Sequence, residues 1–223
     1  MAKNKLQKFE ELKSLTNTIQ PEKFDLLNDR FTLKGFWKKE FKNNNPIILE
    51  LGCGKGEYTI NLAKKFPANN YVGIDIKGSR IWKGAKYAKE NELNNVRFLR
   101  TQIEFLPYCF SLNEVSEIWI TFPDPQIKYR RRKKRLTSFE MFRKYKCVLK
   151  EKALIHLKTD SQFLHGYTLG VLERLNSKII VSSHDIYNSN LIDKYDYLKI
   201  KTFYEKKFLK NNLAITYICF QIS

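Results

Sequence analysis

Cysteine and histidine are too few and too scattered in this chain to suggest a metal site. Cys53, Cys109, Cys147 and Cys219 form no Cys-x-x-Cys pair, which argues against a zinc knuckle, and His156, His165 and His184 are equally dispersed. The cysteines read instead as small buried hydrophobes of a reducing compartment. No apolar run approaches the ~20 residues needed to span a bilayer. Met1 to Glu11 is polar and charged, without the apolar centre of a secretory leader. A cytoplasmic, soluble chain with no metal and no membrane partner is the expectation. Internal repeats and low-complexity tracts are also lacking. Acid is in short supply: 23 Asp and Glu stand against 41 Lys and Arg, a formal net charge of +18. Glycine is scarce as well, with 9 in 223 residues, yet Gly52, Gly54 and Gly56 fall together.

A basic field of this size attracts polyanions. Its densest part follows Phe122-Pro123-Asp124-Pro125: seven of the eight residues from Lys128 to Arg135 are cations, namely Lys128, Arg130, Arg131, Arg132, Lys133, Lys134 and Arg135. A charge run is most often a solvated surface loop. Here the mutual repulsion of seven cations calls for a counter-charge, and phosphates are the natural one.

Hydrophobic content of 43%, with 14% aromatic, is that of a globular protein long enough to bury a sizeable core. Residues 1–45 are lysine-rich with a few spaced apolar positions and read as a basic N-terminal extension. The breaker Asn43-Asn44-Asn45-Pro46 ends it, and one catalytic domain occupies 46–223. Within that domain, strands are expected at Ile47–Leu51, Tyr71–Ile76, Val96–Arg100, Glu117–Phe122, Ala153–Lys158 and Lys178–Ser182, with a closing β-rich segment at Leu213–Gln221. Helices are expected at Glu57–Phe66, Gly78–Glu92, Ser138–Val148 and Gln162–Leu175. Such alternation predicts an α/β fold, a mostly parallel seven-stranded sheet covered by helices on both faces.

The first strand ends in Glu50 and runs into Gly52-x-Gly54-x-Gly56 before a helix, a turn that lets backbone N–H groups approach a ligand closely. The third glycine of the dinucleotide fingerprint is missing, and so is the Gly-Lys-Ser/Thr ending of a phosphate-binding loop, so neither NAD nor ATP fits. Asp75 ends the second strand, where an acid can accept hydrogen bonds from a ribose diol; its alternative is a helix N-cap. Glu50 can reach the amino-acid end of a ligand in the same crevice, or pin a loop. The two prolines restrict the backbone around Asp124, which makes that segment either a held reactive carboxylate or merely a rigid exposed loop. Lys158, Thr159 and Asp160 end the fifth strand at the same sheet edge.

The combination of Glu50, the glycine turn, Asp75 and FPDP resembles the Rossmann-like class I S-adenosylmethionine-dependent methyltransferases, which implies S-adenosyl-L-methionine as cofactor. Five ordered motifs narrow the resemblance: GCGKG, FPDP followed by basic residues to RL, HLKTD at His156–Asp160, NSNL at Asn188–Leu191 and TFYEKKF at Thr202–Phe208. From about Asn45 to the C-terminus the chain resembles the bacterial tRNA (guanine-N7-)-methyltransferases. That resemblance implies transfer of a methyl group to nitrogen 7 of the variable-loop guanosine, position 46 in standard tRNA numbering. It further implies cofactor contacts from Glu50, Gly52, Gly54, Gly56, Asp75, Gln102 and Asp124, with Asp124 catalytic. Substrate contacts are implied at Lys128, Asp160, Thr202, Phe203, Tyr204 and Glu205, with Asp160 and Glu205 directed at the guanine. The cations Arg130 to Arg135 would hold tRNA phosphates.

This chain departs from the family pattern where Gln102-Ile103 replaces Asp-Ala and where Gln126-Ile127 replaces Trp-Pro. Gln102 still offers an amide oxygen to the adenine amino group, without the charge. Another RNA base methyltransferase is the alternative within enzymes, although those generally place an aromatic residue directly after the proline turn. A non-catalytic RNA-binding protein on the same fold is the alternative outside them, and the chain is either a monomer or a homodimer.

Overall fold

A computed structural model describes residues 2–222, with side chains from Leu6 onward; Met1 and Ser223, the two ends of the expected domains, lie outside the described residues. In chain order the elements are α1 (Ala2–Ser14), β1 (Thr18–Ile19), α2 (Lys23–Leu27), α3 (Trp37–Phe41), β2 (Ile47–Leu51), α4 (Glu57–Lys65), β3 (Asn70–Asp75), α5 (Gly78–Glu90), β4 (Val96–Arg100), α6 (Leu106–Cys109), β5 (Val115–Thr121), α7 (Phe139–Lys146), β6 (Leu149–Thr159), α8 (Gln162–Arg174), β7 (Lys178–Ser183), α9 (Leu191–Lys194), α10 (Phe203–Lys210) and β8 (Thr216–Gln221).

The strands form one sheet in the order β1-β4-β3-β2-β5-β6-β8-β7. Every pairing from β1 to β6 is parallel, and β8 runs antiparallel between β6 and β7. Because successive strand residues face opposite sides, Leu49, Ile118 and Ile120 pack into one core while Ile48 and Trp119 pack into the other. Both faces of β2 are covered, which is why Ile47–Leu51 is apolar apart from Glu50 and is buried throughout. The order of strands reverses beside β2, whose neighbours are β3 and β5. In open α/β sheets ligands bind at such a switch point, outside the carboxyl ends of the strands.

Among the described residues the sheet has eight strands, not the seven expected. The additional one is β1, whose Thr18 and Ile19 pair with Phe98 and Leu99 of β4. Two residues carry no readable period, and their strand character comes from the partner. The described part of the expected extension also shares the cores: Leu12 is buried in one, and Leu26, Trp37 and Phe41 in the other. The Trp37 indole N–H donates to the Cys109 carbonyl at 2.9 Å, and Asn17 donates from its amide to the Ala85 carbonyl at 2.9 Å.

Candidate active site

Beyond β2 the chain turns through Gly52, Gly54 and Gly56, with φ of +75°, +56° and +72°. Side chains rarely adopt that region. Gly56 and Gly54 use the freedom differently. A Cβ at Gly56 would stand 2.5 Å from the Phe98 ring, so this glycine serves packing, whereas around Gly54 nothing lies within 4 Å. The Gly54 N–H donates to Asp75 Oδ2 at 3.0 Å, and Lys77 N–H donates to Asp75 Oδ1 at 2.8 Å. Asp75 thus ties the ends of β2 and β3 together, and each of its oxygens retains a second acceptor site.

Glu50 is buried beneath the turn. Its Oε2 accepts from the Thr59 N–H at 2.8 Å and from the Thr59 hydroxyl, and its Oε1 accepts from the Thr121 hydroxyl at 2.6 Å. All three donors are neutral. Burial pushes the carboxyl up to about 7, against the pull of those hydrogen bonds and with a small upward push from the Asp75 charge. Glu50 lines a cleft together with Gly52, Gly54, Tyr58, Thr121 and Thr202.

The FPDP segment continues from β5 on the same edge. The Phe122 N–H donates to the Lys158 carbonyl at 2.8 Å, and Phe122 itself holds φ +48°, a strained conformation for a bulky side chain. Its ring packs 5.7 Å from Phe208 of α10. Asp124 is exposed and its Oδ1 accepts the Gln126 N–H at 2.9 Å, so the carboxylate folds its own loop into a turn and keeps an oxygen available. The basic run then winds as a 3-10 turn over Tyr129–Lys134, from which Arg130, Arg131, Lys133 and Lys134 project into solvent, as Lys128 does just before it. Arg132 is half-buried.

Arg135, expected with Arg130 to Lys134 to hold tRNA phosphates, does not face solvent. It is 5% exposed. Its guanidinium donates to the Gln126 carbonyl at 3.1 and 3.2 Å and to that of Ile127 at 3.4 Å, and it lies 4.3 Å over the Tyr167 ring and 4.7 Å over Phe163. Its donors are engaged by the backbone after FPDP, because two otherwise unpaired carbonyls and two rings on α8 suit a planar cation better than solvent does.

On the other side of the cleft, Thr202 caps α10 by accepting the Glu205 N–H at 3.2 Å, and the Phe203 N–H donates to Glu57 Oε2 at 2.7 Å. Phe203 and Tyr204 line the cleft with their rings half-exposed. Glu205, expected at the guanine, points the other way. Its Oε1 sits 2.7 Å from Lys158 Nζ and 2.7 Å from the Tyr187 hydroxyl, and both side chains of the ion pair are fully buried. Lys158 gives its remaining protons to the carbonyls of Leu198 and Ile200, each at 3.0 Å. Burial lowers the Lys158 pKa while Glu205 raises it, with a net lowering. Asp160, next to this lock, is half-buried, and burial raises its carboxyl.

Gln102 lies in a neighbouring depression with Ile76, Phe105, Arg100, Gln20 and Glu22. The Arg100 guanidinium donates to Gln20 Oε1 at 3.0 Å, which holds the N-terminal segment against this wall. Sequence reasoning missed Gln20 and Glu22 because only the pairing of β1 brings them here. It also missed Thr59 and Thr121, for which the one available signal was a hydroxyl residue on the helix and strand flanking Glu50.

Residues 44–218 match the family described as "Putative methyltransferase". The chain is 54% identical to the tRNA (guanine-N(7)-)-methyltransferase of Christiangramia forsetii, over 99% of both chains. It is 45% identical to the protein of the same name from Bacteroides fragilis, over 99% of this chain and 86% of that one. Among solved structures the fold is similar to the 16S rRNA methyltransferase KamB, with a TM-score of 0.63 at 16% identity, covering 85% of this chain and 93% of that one. Among the described residues, no helix is long and apolar enough to cross a membrane, and no three His, Cys, Asp or Glu side chains gather as metal ligands do.

Proposed function

Because the chain belongs to the tRNA (guanine-N(7)-)-methyltransferase family, we propose that it transfers a methyl group from S-adenosylmethionine to N7 of the variable-loop guanosine of tRNA. The observation that carries this reading is Glu50, a buried carboxylate with three neutral donors and no cation, set in a cleft at the sheet's switch point. An amino-acid ammonium supplies the missing charge. The surrounding residues fit the rest of the cofactor: the open backbone at Gly54 admits close approach, Asp75 has acceptor capacity for a ribose diol, and Gln102 beside the exposed Ile76 suits an adenine edge and face.

S-adenosylmethionine supplies an electrophilic methyl on a sulfonium. Guanine N7 carries an exposed lone pair and loses no proton on attack, so the site needs no strong general base. The protein's task is placement together with stabilisation of the positive charge arriving on the purine. Asp124 carries out the second part, its carboxylate held by the Gln126 N–H and by the strained entry at Phe122. Asp160 accepts from the ring N–H and amino group of guanine. Phe203 and Tyr204 wall the base. Glu205 is a positioning residue: through Lys158 it fixes the start of α10, and so the rim formed by Thr202, Phe203 and Tyr204. Good placement supplies ~7–11 kcal/mol of barrier reduction in intramolecular models. Lys128, Arg130, Arg131, Arg132, Lys133 and Lys134 hold phosphates, while Arg135 fixes the loop that bears Asp124.

The deciding experiment incubates the protein with labelled S-adenosylmethionine and unmodified tRNA transcript, then identifies the methylated nucleoside by mass spectrometry. Label in 7-methylguanosine is the expected result. Label in any other nucleoside overturns the assignment.

A further inference from the structure

A groove of about 570 Å³ opens on the far side of the basic turn, between α7 and α8. Its walls are charged and aromatic: Arg132 from the turn, Phe139 and Glu140 from the start of α7, Tyr167 and Arg174 from α8. Its floor is formed by Gly166 and Gly170, one turn apart, where an added Cβ would meet nothing within 4 Å. Glycine is the poorest helix former after proline, and neither position has the positive φ that would require it. Phe139 keeps 48% of its surface exposed at the groove mouth.

The groove adjoins the candidate active site through one residue. Arg135 lies over the ring of Tyr167 and donates to the carbonyls of Gln126 and Ile127 directly after FPDP. The surface from Asp124 across the turn to Arg174 is therefore one basic, aromatic-studded strip. Resting on the reading of tRNA as substrate, we propose that this groove binds an unstacked nucleotide of the same tRNA, distinct from the reacting guanosine. Its base lies against Phe139 and Tyr167, and its phosphates pair with Arg132 and Arg174. Charge selects this occupant: both arginines are close to the groove while Glu140 is its one acid, partly engaged by Lys133 at 3.9 Å. Aromatic rings beside arginines are how unstacked RNA bases are held.

Gly170→Leu tests the groove without disturbing the fold, because the new side chain enters open space on a helix it favours. Arg174→Glu tests its charge. The measurements are tRNA KM and kcat in methyl transfer, tRNA Kd by filter binding across a salt series, cofactor Kd by calorimetry, thermal unfolding and sedimentation. Gly170→Leu is expected to raise tRNA Kd and KM roughly tenfold, as loss of one stacked base does, with kcat, cofactor Kd and Tm maintained. Arg174→Glu is expected to reduce the salt slope by about 1. Unchanged tRNA binding in both variants overturns the groove alone. A wild-type dimer that Gly170→Leu splits, without loss of tRNA affinity, assigns the groove to a second copy and also overturns it. Failure of the wild-type protein to bind tRNA at all overturns both this inference and the functional reading beneath it.

Discussion

Glu50 and Glu205 are both buried carboxylates beside the same cleft, yet their surroundings are opposite. Glu205 Oε1 faces Lys158 at 2.7 Å and accepts from the Tyr187 hydroxyl, while Lys158 also donates to the carbonyls of Leu198 and Ile200; Glu205 Oε2 is buried without a hydrogen-bond partner among the described residues. Glu50 faces only N–H and hydroxyl donors from Thr59 and Thr121. A buried charge needs a partner. Where the protein provides one, the pair is architecture. Where it provides none, the place for a cation is left to a ligand.

The strongest way to break this comparison is Glu205→Gln, which leaves Lys158 buried and unpaired. Stability in urea is expected to fall by about 3–5 kcal/mol. The double variant Lys158→Met with Glu205→Leu should recover most of that loss, since an apolar pair of similar volume is often neutral. Recovery of stability without recovery of tRNA KM separates the lock's role at the rim from its role in folding.

Glu50→Gln should behave in the opposite way. The neutral amide suits its apolar burial, so stability at pH 8 is expected to hold or rise, while cofactor affinity falls by about 1.5–3 kcal/mol, the worth of hydrogen bonds to a charged group. Calorimetry with S-adenosylhomocysteine, which keeps the ammonium but lacks the methyl, reads this directly. A stability loss as large as that of Glu205→Gln would erase the distinction between the two sites.

The pH dependence sharpens it further. With Glu50 raised from 4.5 to about 7 in the folded protein, its contribution to stability without ligand is complete below 4.5 and lost as pH rises through 7. On the proposed reading, cofactor affinity is expected to run the other way, since an ammonium selects the ionised carboxylate. Between pH 6 and 7 it should tighten by up to about tenfold per unit and level off above 8, with proton release on binding near pH 6.5. Glu50→Gln is expected to flatten that profile. The smallest effect is at the surface: Lys133→Ala with Lys134→Ala should reduce the salt slope of tRNA binding by about 0.7–0.9 for each phosphate that the two lysines neutralise, leaving cofactor affinity unchanged.

The two carboxylates also show what a sequence makes readable. Glu50 is visible because it sits in an apolar strand directly before a glycine turn, a local pattern, and Val96–Arg100 and Ile47–Leu51 have the same bounds in sequence and structure for the same reason. The Glu205–Lys158 lock is invisible locally, because a strand end and a distant helix start meet only through the antiparallel packing of β8 beside β6. Arg135 is hidden differently. It stands among chemically identical neighbours, and only the register of the 3-10 turn decides which cation faces inward. β6 begins at Leu149, a core residue paired with Val115, rather than at the expected Ala153, because the exposed stretch Lys150–Lys152 sits at a register shift, with Lys152 at φ +59°, and interrupts the apolar pattern.

The pairing of β1 with β4 has a consequence for solubility as well as for the depression that holds Gln102. β4 would otherwise be the outermost strand of the sheet on that side, offering its unpaired N–H and C=O groups, around Phe98 and Leu99, to any other chain. Thr18 and Ile19 cover the middle of that edge, and the Asn17 carbonyl accepts the Phe98 N–H at 2.9 Å. So short a strand offers little edge of its own. The first residues of the chain thereby act as a built-in guard against strand-to-strand aggregation. Trimming them would uncover that border and also remove Leu12 from the core.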